Sequence, residues 1–143
     1  MVSVLIVEDD LLIADLLQEV LEADDYQVTG IARTVQESVR LADHHCPDIA
    51  IIDIHLAKGD LGTSVAAHLR NTTKTKILFS TGNSDHLASL EALGDAVMTK
   101  PYRLSDVGRA LTIINQLALY GRTNLAFPKN FRLLSLAEPS AVT

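Results

Sequence analysis

Residues 47–60 read PDIAIIDIHLAKGD, and the run Ile49, Ala50, Ile51, Ile52 that ends on Asp53 decides the fold. A strand with one face in water alternates apolar and polar side chains. This one is apolar at every position, so it belongs to a sheet covered on both faces, which means a parallel sheet with right-handed crossovers and helices on either side. Its last residue is a carboxylate, at the carboxyl end of a strand, where open α/β sheets bind their ligands.

The same signature recurs on both sides of this segment. Short apolar runs at 4–7, 28–32, 77–79 and 96–98 read as four further strands. Helical spacing lies between and after them, in Leu12, Leu16 and Val20, in Val35, Val39 and Ala42, and in Val65 and Leu69. It continues in Leu87, Leu90 and Leu93, and in Val107, Leu111, Ile114 and Leu117, so the unit βα occurs five times. Thr34 with Glu37 three residues on predicts a capping box, and Gly30, Gly82 and Gly94 predict turns near element ends.

With 143 residues, of which 48% are hydrophobic, the chain can bury one sizeable core. A net charge of −6 argues against nucleic-acid binding through counterion release as the main activity. Cys46 is the only cysteine, which rules out an intrachain disulfide or a cysteine-cluster metal site and fits a reducing compartment. The start MVSVLIVEDD lacks a basic segment and turns acidic too early for a signal peptide or a membrane span, so a cytoplasmic protein with no membrane partner is expected.

The strand ends bring together Glu8, Asp9 and Asp10, then Asp53, then Ser80 and Thr81, then Lys100 and Pro101. Crowded acids raise one another's pKa, and Glu8, Asp9 and Asp53 are most easily kept together by a hard cation, with magnesium the natural choice. An anionic group attached at Asp53 would find metal, ammonium and hydroxyl around it. Asp53 therefore reads as a carboxylate nucleophile that accepts a phosphoryl group.

Taken together, VLIVEDD, IIDIHL, ILFSTG and VMTKPY resemble the receiver domain of two-component response regulators, in order and at comparable spacing over about residues 2–118. The resemblance implies the flavodoxin-like (βα)5 fold, an α/β doubly wound sheet in the order 2-1-3-4-5. It implies that Asp53 accepts phosphate from a histidine kinase or a histidine phosphotransfer protein. By the same resemblance Asp9 is the direct magnesium ligand, Glu8 acts largely through water, and the backbone carbonyl of His55 completes the site. Thr81 matches the hydroxyl that moves to the phosphoryl group, Lys100 the lysine that pairs with it, and Pro101 a proline whose preceding bond is cis in the family.

Two features depart from the family pattern. Val97 holds the switch position, three residues before the lysine, where an aromatic is often found, so switching is expected to run through the Thr81 loop and the fourth helix, residues 83–93. HLAKGDLG replaces the Met-Pro and Asp-Gly pairs that often follow the acceptor, so that loop should have its own shape.

Simpler roles are expected for several neighbours. Asp10 is read as the N-cap of the first helix, and only one of Ser80 and Thr81 can face the site. The His55 ring is not a ligand for a hard cation, and His44 and His45 beside Cys46 are surface residues near the end of the second helix. An aspartate-dependent phosphatase would carry a second acid where His55 stands, and a flavodoxin-like carrier would not put EDD in its phosphate loop. The chain is therefore read as a phosphoacceptor rather than an enzyme, against the alternative of a receiver-like docking module that takes no phosphate.

The receiver is assigned to residues 1–119 and a C-terminal extension to 120–143. About 25 residues follow the last helix, without a helix-turn-helix pattern, so a stand-alone regulator is expected. The extension contains Leu125, Phe127, Phe131, Leu133, Leu134 and Leu136, too apolar for a solvated linker. It is expected to form an extended arm with a short helical piece after Pro128. With both sheet faces taken by helices, it is expected to dock on a second copy, giving a homodimer through the fourth helix, fifth strand, fifth helix and tail.

Overall fold

The run 49–53 becomes an inner strand of one mostly parallel sheet. In the computed structural model, which describes residues 1–82 and 87–134, the strands are β1 (Ser3–Val7), β2 (Gln27–Ala32), β3 (Ile49–Asp53), β4 (Lys76–Thr81), β5 (Ala96–Thr99) and β6 (Phe131–Leu133). They lie in the order β2-β1-β3-β4-β5-β6, the first five parallel as expected and β6 antiparallel on β5. The helices are α1 (Leu11–Ala23), α2 (Val35–His45), α3 (Gly62–Thr72), α4 (Leu87–Leu90) and α5 (Leu104–Tyr120). Residues 83–86 of the fourth helix as expected from sequence lie outside the described residues.

The all-apolar strands divide their side chains between two cores. Val4, Ile6, Ile49 and Ile51 pack with Leu17 and Leu21 of α1 and Leu111 and Ile114 of α5. Leu5, Val7, Ala50 and Ile52 pack on the other face with Val65 and Leu69 of α3 and with Phe79. Each fully buried Leu or Ile contributes at most about 1.5 to 3 kcal/mol, an upper bound because the unfolded chain is itself partly collapsed.

Three local readings shift in the structure. The buried stripe of α1 is Ala14, Leu17 and Leu21, while Leu12 is 69% exposed: Asp15, Gln18, Glu19 and Glu22 occupy one arc and the apolar residues all the rest, so spacing gave a broad face but not which part of it is buried. At α2 the Glu37 amide donates to Thr34 Oγ1 at 3.2 Å, but the Glu37 carboxylate reaches Arg33 N at 2.8 Å, one residue before the cap. Gly30 lies inside β2, where the pairing with β1 skips Thr29, so it marks a bulge rather than a turn.

The expected helical piece after Pro128 is instead β6, and the tail docks on its own domain. Helices cover the faces of a parallel sheet but not its edge, and an uncovered β5 would leave a row of backbone groups unpaired. Thr99 N donates to Asn130 O at 3.0 Å and Leu134 N to Asp95 O at 2.8 Å, closing that edge. Phe131 is 5% exposed within the α1–α5 core, and Phe127 meets it edge-on with ring centroids 5.2 Å apart. Leu136 lies outside the described residues.

Candidate functional site

β1, β3, β4 and β5 all end on the same rim of the sheet. Asp53 closes β3 and is 8% exposed. Its Oδ2 accepts a hydrogen bond from Lys100 Nζ at 2.9 Å, and its Oδ1 accepts one from the His55 backbone N–H at 3.2 Å. Glu8, just past β1, is 7% exposed, is tied to β2 by its N–H on Ala32 O at 2.9 Å, and accepts the Asp10 N–H on Oε2 at 3.1 Å. Asp9 is half-buried, with its carbonyl accepting Arg33 Nε at 3.2 Å.

One carboxylate oxygen from each of Glu8, Asp9 and Asp53 lies within 4.8 Å of the others, and no other such group of three occurs among the described residues. Burial raises the Glu8 carboxyl to about 7, the Asp10 amide working against that and the charge of Asp53 adding to it. For Lys100, burial works to lower the pKa, but the hydrogen bond and charge of Asp53 prevail and hold it above the ordinary value. Three oxygen donors that repel one another unless a cation sits among them fit a hard divalent ion such as magnesium.

Thr81 ends β4, is buried, and offers its carbonyl to Lys100 N at 2.7 Å. Ser80 Oγ lies 2.7 Å from the Tyr102 hydroxyl, which joins β4 to the β5–α5 connection. The Lys100–Pro101 peptide bond is cis. Val97 is buried on the α3 side of the sheet among Phe79 and Leu90.

Asp10 caps α1, accepting Leu12 N at 3.1 Å and Ile13 N at 3.4 Å. His55 has an exposed side chain, and His44, His45 and Cys46 lie exposed at the far end of α2, outside the acidic group.

Sequence reasoning missed the residues that shape the loop after Asp53. A Cβ on Gly62 would collide with the Asp53 carbonyl, so only glycine allows α3 to start this close to the end of β3. Asp60 Oδ2 accepts Val35 N at 2.9 Å, adding a second cap to α2, while Leu56 N donates to Asp60 O at 2.9 Å and Gly62 N to Ile54 O at 2.7 Å. The glycines of KGDLG were the visible signal, but the contacts they serve are made across the loop and into α2.

As chemistry, the arrangement offers a carboxylate oxygen for attack, an ammonium beside it, and an acidic group able to hold a cation. The family model of the response regulator receiver domain matches residues 4–112. Transcriptional regulatory protein PdtaR of Mycobacterium tuberculosis is 32% identical over 113 residues, 77% of this chain and 55% of that protein. Phyllosphere-induced regulator PhyR of Methylorubrum extorquens is 30% identical over 112 residues, 77% of this chain and 42% of that one. The chain thus spans about half the length of these curated relatives. Among solved structures, the signal receiver domain of a modulated diguanylate cyclase from Desulfovibrio desulfuricans superposes with a TM-score of 0.71 at 32% identity, covering 82% of this chain and 96% of that one.

Proposed function

The chain belongs to the response regulator receiver domain family, a regulatory family of two-component signalling, and from that premise we propose that Asp53 is its phosphoacceptor. An Asp53 oxygen attacks the phosphorus of a phosphohistidine on a kinase or a phosphotransfer protein. The new P–O bond forms as the P–N bond breaks, and the electron pair leaves with the imidazole, which takes up a proton.

Glu8, Asp9, Asp53 and the His55 backbone carbonyl would hold magnesium, which when bound neutralises charge on the phosphoryl oxygens. Lys100 contributes a second positive charge, and Thr81 the hydroxyl that closes on the phosphoryl group. The supporting observation is the placement of Lys100 Nζ at 2.9 Å from Asp53 Oδ2, on a carboxylate that also belongs to the acidic group. The modified protein signals in the cytoplasm through altered protein contacts, and no described helix is long and apolar enough to cross a membrane. A homodimer would use the end of α5 and the loop after it, where Leu119, Tyr120, Leu125 and Phe127 are exposed, since β6 occupies the edge of β5.

The test is the intact mass after incubation with magnesium and acetyl phosphate. One phosphoryl group is expected on the wild type and none on Asp53→Asn or in excess chelator. Equal modification of the Asn variant would refute the site assignment, and an unmodified wild type would favour a docking module that takes no phosphate.

A further inference from the structure

The site residues described above fall inside the segment matched by the family, which ends at residue 112. β6 lies beyond it, yet it returns to the back of the site. Asn130, immediately before β6, adopts a left-handed conformation with φ of 68°. Two hydrogen bonds run from it to the turn that carries the site lysine. Thr99 N donates to Asn130 O at 3.0 Å, and Asn130 Nδ2 donates to Pro101 O at 2.8 Å. Lys100 itself donates its backbone N–H to Thr81 O at 2.7 Å. The lysine backbone is thus fixed to β4 while its two neighbours are bracketed by one residue of the tail.

The bracket hangs from a strand that is itself anchored. Phe131 is buried in the same core as Ala96 and Met98 of β5, and Leu134 N closes the other end of the pairing on Asp95 O at 2.8 Å. We infer that the C-terminal strand is part of the frame of the phosphoryl site, with Asn130 a positioning residue that sets where Lys100 Nζ stands against Asp53. This rests on the reading of Asp53 as phosphoacceptor. A lysine ammonium rides on a flexible four-carbon stem, so its place depends on where its backbone is held. Asparagine suits the position on two counts, because it enters the left-handed region more readily than most residues and its amide supplies a donor to the Pro101 carbonyl.

Two substitutions isolate that donor. Asn130→Gly keeps the backbone conformation and removes the amide; Asn130→Asp keeps the size and replaces the donor by an acceptor. With acetyl phosphate and magnesium, followed by intact mass, both should be phosphorylated about threefold to tenfold more slowly than the wild type, the worth of one net hydrogen bond. The rise in melting temperature on adding magnesium should be unchanged, because Glu8, Asp9 and Asp53 are untouched. In a Lys100→Ala background, Asn130→Gly should produce no further slowing, since the residue acts through the lysine. A wild-type rate in Asn130→Gly, or an equal extra loss in the Lys100→Ala background, would overturn the inference and leave the phosphoacceptor reading standing. A wild type that gains no phosphoryl group would overturn both.

Discussion

Glu8 is the residue whose environment asks most for a cation. Without one, its carboxyl is raised from 4.5 to about 7, so the folded state holds a proton that the unfolded chain has released. The stability this contributes is complete below pH 4.5 and is lost as pH rises to about 7. Metal-free protein should therefore lose melting temperature across that window, and Glu8→Gln should flatten the loss; an unchanged slope in the variant would contradict it. Gly62→Ala tests the other wall of the site. Forcing a methyl against the Asp53 carbonyl should cost about 1 to 3 kcal/mol in urea unfolding and shrink the melting increment given by magnesium. Asp53 and Lys100 were legible in the sequence because a strand end fixes where each stands. Gly62, Asp60 and Asn130 were not, because each matters through a contact with a backbone that is distant in sequence or folded back across a loop.

At the scale of elements, Asp95 joins three of them. Its buried carboxylate pairs with Arg70 of α3 at 3.2 Å and accepts Ile77 N of β4 at 2.8 Å, while its carbonyl takes Leu134 N beyond β6. Asp95→Ala should destabilise by about 1 to 3 kcal/mol in urea unfolding, since it leaves the buried Ile77 N–H without its acceptor. Switching belongs to this scale too. Val97 is packed into the core, so the change on phosphorylation should appear as altered amide exchange at Thr81, Gly82 and α4 when a phosphoryl mimic such as beryllofluoride is added. Changes confined to α1 and α2 would contradict this route. Four of the parallel strands were readable as runs of apolar residues bounded by polar ends, while β2, with Thr29 and Gly30 inside it, was readable only from Val28, Ile31 and Ala32. The phase of α1 was hidden because Leu11, Leu12 and Leu16 are leucines left on the outside.

For the whole molecule, the sixth strand changes what the tail does. The apolar tail was visible in the sequence, but its destination was not, because the open edge of a sheet leaves no mark on the strands beside it. Ending the chain after Leu119 should remove the burial of Phe131 and lower stability by about 2 kcal/mol, and it should leave β5 prone to edge-to-edge association. Sedimentation of the full-length protein at tens of micromolar tests the homodimer, and a strictly monomeric species would remove it. On the proposed reading, a single carboxylate, Asp53 at the end of β3, becomes an acyl phosphate. Reducing the phosphorylated protein with borohydride converts an aspartyl phosphate to homoserine, which peptide mass mapping then locates. Homoserine is expected at residue 53 and nowhere else; homoserine at residue 9, at another acid's position, or at none of them would refute Asp53 as the phosphoacceptor.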